Sequence, residues 1–130
     1  MTAATVTELR LVVIADDFDT ALHHYRDVLG LREHGAVDTG GRVTILDAGR
    51  ATLEIADRAH ADWVDQLEVG RPGVAGHVRV ALRVEDVDAA TTAMTDAGAE
   101  LVAPPTRTPW GSRNARLEGA ADLQLTLFGP

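Results

Sequence analysis

Arg10-Leu11-Val12-Val13-Ile14-Ala15-Asp16-Asp17-Phe18-Asp19 returns 69 residues later, without a gap, as Arg79-Val80-Ala81-Leu82-Arg83-Val84-Glu85-Asp86-Val87-Asp88. Each stretch is an apolar run that ends in an acidic cluster and leads into an Ala-rich segment of helical period. A repeat of this length fixes the architecture before any single residue does. It predicts two similar modules, each too small to bury a core alone, with a functional cleft where modules meet.

Outward from the repeat, Leu9 to Ala15 reads as a strand, because its apolar run is rich in β-branched residues. Asp16 or Asp17 can cap the following helix, whose apolar positions 18, 21, 22, 25, 28 and 29 run to a stop at Gly30. This stripe puts Tyr25 in the core. Gly40-Gly41 reads as a turn, and strands follow at Arg42 to Asp47 and Ala51 to Ala56. The connector carries Trp63, Gly70, Pro72, Gly73 and Gly76, with a short helix near 60–67. The second half repeats the order. Strand His77 to Val84 precedes a helix ending at Gly98, then strands at Glu100 to Ala103 (before Pro104-Pro105), Arg113 to Glu118 and Asp122 to Phe128. The expected fold is α+β: paired βαβββ modules forming curved mixed β-sheets with outer helices. Residues 1–130 then make one domain, divided into a first module (1–57), a linker (58–76) and a second module (77–130).

Composition narrows the function. The chain of 130 residues has 45% hydrophobic content, which suits one globular domain. It contains no cysteine, so disulfides, thiolate metal sites and cysteine nucleophiles are excluded. A net charge of −8 argues against nucleic acid as a partner. All 12 basic residues are arginine, consistent with a GC-rich coding bias. No stretch approaches the ~20 apolar residues of a membrane span. The N-terminus shows no basic and apolar leader, so a cytoplasmic location is expected. Ser112 is the only serine and has no neighbouring histidine, which gives nucleophilic catalysis no support.

Side chains alternate across a strand. If helices cover the more apolar face, Leu11, Val13, Val80, Leu82, Leu53, Ile55, Leu125 and Leu127 point at them. The other face then carries Arg10, Val12, Glu54, His77, Arg79, Ala81, Arg83, Gln124 and Phe128. That mixture suits a pocket lining, and it equally suits a solvated face with Arg10 and Glu54 as a structural ion pair. Trp110, between Pro109 and Gly111, and Trp63 in the connector are two of only five aromatic side chains. Either could frame a pocket or simply pack locally. His23 and His24 fall off the helix stripe; His34 and His60 fall in predicted loop or linker, where they make poor site candidates.

The run Asp17-Phe18-Asp19 through Tyr25-Arg26-Asp27-Val28-Leu29-Gly30-Leu31 resembles the signature of the vicinal oxygen chelate superfamily. This is the glyoxalase, bleomycin-resistance protein and extradiol dioxygenase group. Val84-Glu85-Asp86-Val87-Asp88, Pro109-Trp110-Gly111 and Leu123-Gln124-Leu125 are similar to its second-module signature. The resemblance implies paired βαβββ modules and, in small members, a homodimer whose modules combine across chains. It also implies, for the metalloenzymes of the group, a divalent ion held by His and Glu from the first and last strands. Those four positions fall on Arg10, Glu54, Arg79 and Gln124. A guanidinium is always protonated and offers donors only, so it cannot ligate a cation. His77, two residues from Arg79 on the same strand face, reaches the ligand position only with a register shift.

No metal and no other cofactor is therefore expected, and no catalytic residue is assigned. The resemblance then implies a non-catalytic small-molecule binding protein of the bleomycin-resistance type, sequestering an aromatic antibiotic or natural product in a cleft of a homodimer. Its expected ligand-binding residues are Arg10, Val12, Glu54, Trp63, His77, Arg79, Arg83, Trp110, Gln124 and Phe128. Two alternatives stand beside it. One is an enzyme of the same fold (lyase, isomerase or dioxygenase) acting on a small carbonyl metabolite, with or without a divalent metal. The other is a structural or regulatory partner whose cleft is filled by its own side chains.

Overall fold

The computed structural model describes residues 4–130. Strand β1 (Glu8–Ile14) leads into helix α1 (Phe18–Leu22). The Asp17 carboxylate caps α1, accepting from the Thr20 N–H at 3.0 Å and the Thr20 hydroxyl at 2.7 Å. The chain then winds a π-helical turn over His23–Val28. Bonding from i to i+5 adds a residue to the turn and rotates the stripe outward. Tyr25, expected in the core, is consequently 36% exposed, and Val28 and Leu29 face solvent as well. Strands β2 (Glu33–Val37), β3 (Val43–Ala48) and β4 (Ala51–Ala56) complete the first half.

Helix α2 (Arg58–Val69) connects to β5 (Val78–Arg83), helix α3 (Val87–Asp96), β6 (Glu100–Arg107), β7 (Arg113–Glu118) and β8 (Gln124–Gly129). All eight strands form one curved mixed sheet in the order β2-β3-β4-β1-β5-β8-β7-β6. The pairs β1–β4 and β5–β8 are parallel and the other pairings antiparallel. The halves join through β1 and β5, with Leu11 opposite Val80 and Val12 opposite Arg79. The two modules of one chain thus lie side by side. The expected clefts combined modules across chains; here a single chain forms the cup.

Pro104 and Pro105 were expected to end their strand, but β6 runs through them. β6 is the sheet edge, where a residue without an N–H breaks no essential ladder. Its register against β7 slips between Leu101 and Ala103 and again between Ala103 and Thr106.

The predicted alternation holds at most positions; Leu11, expected beneath a helix, is instead 37% exposed at the seam between the halves. Val13, Leu53 and Ile55 pack with Phe18, Leu22 and Leu46 beneath α1. Leu82, Val84, Ala115, Leu117 and Leu127 pack with Val87, Ala90 and Met94 beneath α3. Leu46, Ile55 and Leu117 are fully buried; each such side chain contributes about 1.5–3 kcal/mol. The outer helices are α1 and α3. The connector helix α2 is longer than the expected 60–67 and takes the opposite, inner face, packing over β6 and β7. Ile14 of β1, Ala61 of α2 and Ala75 of the connector form a small buried cluster of their own. Among the described residues no helix is long and apolar enough to cross a membrane.

Candidate functional site

A cavity of about 400 Å³ opens between the inner face of the sheet and α2. That volume lies within the roughly 300–1,000 Å³ of small-molecule sites. The sheet supplies Val12, Glu54, Arg79, Ala81, Thr126 and Phe128. Helix α2 supplies His60, Trp63, Val64 and Glu68, and the β6–β7 loop supplies Pro109 and Trp110.

Strand register sets the floor. Val12 pairs with Glu54 on one side and with Arg79 on the other. Neighbouring strands stand about 4.8 Å apart, so the Cα atoms of Glu54 and Arg79 flank Val12 at a separation of roughly 10 Å. Val12, Ala81 and Phe128 form a buried apolar patch beside this row.

The aromatic wall depends on two glycines. A Cβ on Gly40 would stand 2.4 Å from the Trp63 ring, and one on Gly41 would stand 2.3 Å from the His60 nitrogen. Only residues without a side chain let this turn approach the N-terminal end of α2 so closely. There the Asp57 carboxylate accepts from the His60 N–H at 2.8 Å. The His60 ring lies 3.0 Å from the Thr39 carbonyl through Nδ1. A carbonyl only accepts, so Nδ1 is the donor in this contact. Trp63 sits 5.4 Å from His60 and 5.9 Å from Trp110, both rings tilted. Trp110 rides on a loop closed by the Thr108 N–H donating to the Ser112 carbonyl at 2.8 Å. At 47% exposure it forms the mouth.

Three arginines lie on or beside this face, and their partners differ. Arg10 donates to Glu8 at 2.9 Å, to Thr52 at 3.1 Å and to Glu54 at 3.3 Å. Burial alone would raise the Glu8 carboxyl. The Thr52 hydroxyl and the Arg10 guanidinium together outweigh it and hold the group below the usual carboxylate range. Arg116 is fully buried and donates to Asp65 and Glu68 at 2.9 Å each and to Gln124 at 3.1 Å. Among the described residues its Nε has no partner. The remaining carboxylate oxygens are also used: Asp65 accepts from the Val74 and Ala75 N–H groups at 2.8 Å, and Glu68 from Asn114 at 3.0 Å.

Arg79 is 9% exposed and donates to the Thr126 hydroxyl at 2.7 Å. Among the described residues no carboxylate oxygen lies within 4.0 Å of its guanidinium. Burial, reinforced by the Arg116 charge, pushes its pKa down, against the opposing pull of Glu54, Glu68 and Asp65.

The structure gathers Val12, Glu54, Trp63, Arg79, Trp110 and Phe128 around the cavity. Arg10 stands behind Glu54, each of its three side-chain nitrogens bonded within its own wall. Gln124 is turned to Arg116, the Val74 carbonyl and Glu118. Arg83 and His77 are exposed and lie outside the lining, although Arg83 reaches to 5.8 Å from the Phe128 ring. His60, set aside as a loop residue, is buried in the wall because α2 begins two residues before it. Arg116 was missed altogether. Its signal was present: Ala115 and Leu117 face α3, so Arg116 faces inward, and Asp65 and Glu68 share one helix face at i and i+3.

The residues at the four ligand positions do not fit a divalent ion. Arg10 is bonded to the one carboxylate among them, Glu54, and Arg79 adds a second positive charge with no carboxylate in contact. Gln124, expected as the fourth, is turned elsewhere; the register that sets Glu54 opposite Val12 sets Thr126 opposite Ala81, so that position falls on a hydroxyl.

Residues 9–123 match the family described as Glyoxalase/Bleomycin resistance protein/Dioxygenase superfamily. No curated protein gives a significant match to the chain. Among solved structures, a hypothetical protein, BH1468, from Bacillus halodurans superposes with a TM-score of 0.72 at 14% identity, covering 99% of this chain and 96% of that one. Methylmalonyl-CoA epimerase from Mycobacterium tuberculosis gives 0.70 at 24% identity, covering 100% and 92%. A Streptomyces coelicolor methylmalonyl-CoA epimerase in complex with 2-nitronate-propionyl-CoA gives 0.68 at 19%, covering 96% and 98%. At these identities the likeness is one of fold.

Proposed function

The chain belongs to the glyoxalase/bleomycin resistance protein/dioxygenase superfamily, and from that premise we propose that it captures an aromatic natural product or antibiotic without turning it over. The observation that carries this reading is the composition of the cup. Guanidinium groups stand at two positions where the metalloenzymes need imidazoles, and two indoles 5.9 Å apart frame the cavity. A planar ring against those indoles gains about 0.5–1.5 kcal/mol beyond the area it buries. In this reading the protein is a cytoplasmic homodimer with one cup per chain.

Tryptophan emission tests it. Titration with a panel of aromatic antibiotics is expected to quench fluorescence at micromolar concentration, with the compound recovered intact by mass spectrometry. Absence of quenching across the panel refutes capture, and a transformed compound refutes the non-catalytic part.

A second reading is favoured by one observation, the row Glu54–Val12–Arg79. A carboxylate and a guanidinium facing one cavity suit a metal-independent isomerase acting on a small carbonyl compound. Glu54 would take the proton α to the carbonyl, Arg79 would hold the enolate oxygen, and the proton would return to carbon. The epimerase neighbours support this by fold analogy only. Glu54 Oε1 is already engaged by Arg10, which leaves Oε2 for the task. Exchange of an α-proton for deuterium in heavy water, followed by NMR on a panel of acyl thioesters, distinguishes this reading from capture.

A further inference from the structure

Resting on the binding reading above, we propose that the ligand is an aromatic carboxylate and that Arg79 is the group that receives its anionic oxygens. Arg79 is nine-tenths buried in the cavity lining, beside the apolar patch of Val12, Ala81 and Phe128. A guanidinium carries five N–H donors; the Thr126 hydroxyl takes one, at 2.7 Å. Burying a cation without a counter-charge costs several kcal/mol. The protein does not supply that counter-charge at contact distance.

The acids nearby direct their oxygens at other donors. Glu54 is paired with Arg10, Glu68 with Arg116 and Asn114, and Asp65 with Arg116 and two backbone amides. They favour the Arg79 charge from a distance without capping its donors. The low-dielectric surroundings strengthen any ion pair formed there. Trp63 and Trp110 lie on the same cavity and select an aromatic frame for the ligand. A flat molecule with a carboxylate at one end satisfies both features at once.

Naphthalene-2-carboxylate, its neutral amide and 2-methylnaphthalene serve as probes, titrated at pH 7.5 against the native protein, R79M and R79K by tryptophan quenching. The carboxylate is expected to bind the native protein about ten- to a hundredfold more tightly than the amide, the usual value of a charge-assisted hydrogen bond. R79M should lose that preference and R79K retain part of it. Equal binding of acid and amide overturns the anion assignment while leaving the capture reading in place. No quenching by any of the three overturns both.

R79M also separates a ligand role from a structural one. R79M removes the cost of burying a cation together with its attraction to Glu54, Glu68 and Asp65, none of which touches it, so the unliganded melting temperature should change little. A lower melting temperature together with an intact preference for the acid makes Arg79 a structural residue and refutes the proposal.

Discussion

Replacing Arg116 by methionine removes the cation that ties α2 to the sheet. Contacts of 2.9, 3.1 and 2.9 Å to Asp65, Gln124 and Glu68 are lost together. The Asp65 and Glu68 side chains, 1% and 3% exposed, are left as buried carboxylates with no cation between them. Removing one partner of a buried ion pair costs about 3–5 kcal/mol, because solvent cannot compensate the charge that remains. Domains of this size hold about 5–15 kcal/mol in all, so the loss is a large part of the total. It corresponds to a fall in melting temperature of roughly 10–20 °C. Thermal and urea unfolding followed by far-UV circular dichroism measures it. The triple variant R116M/D65N/E68Q, which neutralises the stranded acids, should recover about half of the loss. A single-variant cost below about 1 kcal/mol, or a triple variant no more stable than the single, refutes the claim that this triad holds the helix.

Three further outcomes are expected. Gly40→Ala puts a methyl group 2.4 Å from the Trp63 ring at a φ of +67°, so it should cost about 1–3 kcal/mol and shift tryptophan emission to the red; an unchanged spectrum contradicts the packing described. Millimolar Zn²⁺, Ni²⁺ or Mn²⁺ should leave the melting temperature within about 1 °C and show no heat of binding, because Arg10 and Arg79 occupy the ligand positions; stoichiometric uptake of one ion per chain counts against this. Glu8 has a folded pKa below its unfolded value, so its contribution is present above the unfolded value and is lost as pH falls through the folded one. Glu8→Gln should therefore lower stability at pH 7 and flatten its decline between about pH 5 and pH 2; parallel pH profiles for the two proteins overturn the assignment.

The part of this fold that sequence made legible is the part governed by short-range period. Alternation along β4 put Leu53 and Ile55 beneath α1 and Glu54 in the cup, and the structure agrees. The 69-residue repeat correctly ordered strand, helix and strands in each half. What escaped depends on contacts between distant segments. Tyr25 turns outward because a π turn, invisible to a 3.6-residue period, rotates the stripe. β6 passes through Pro104-Pro105 because it lies at an edge, which only the finished sheet defines. The inner placement of α2 rests on Arg116, 51 residues from Asp65. His60 enters the cavity wall only through that placement. Arg10 and Gln124 face the predicted side, yet their donors are spent on neighbours that alternation does not reveal.

The duplicated halves contain their own controlled comparison. Arg10 and Arg79 are twins across the β1–β5 seam, each on the first strand of its half. Two residues earlier the first twin has Glu8 where the second has His77, and on the closing strands Glu54, opposite Val12, answers to Thr126, opposite Ala81. Both acids beside the first guanidinium are thus neutral or weakly basic groups beside the second. One cation is a strut bonded to the acids of its own wall, while its counterpart touches only a hydroxyl, and two side-chain differences on a common scaffold accompany that change.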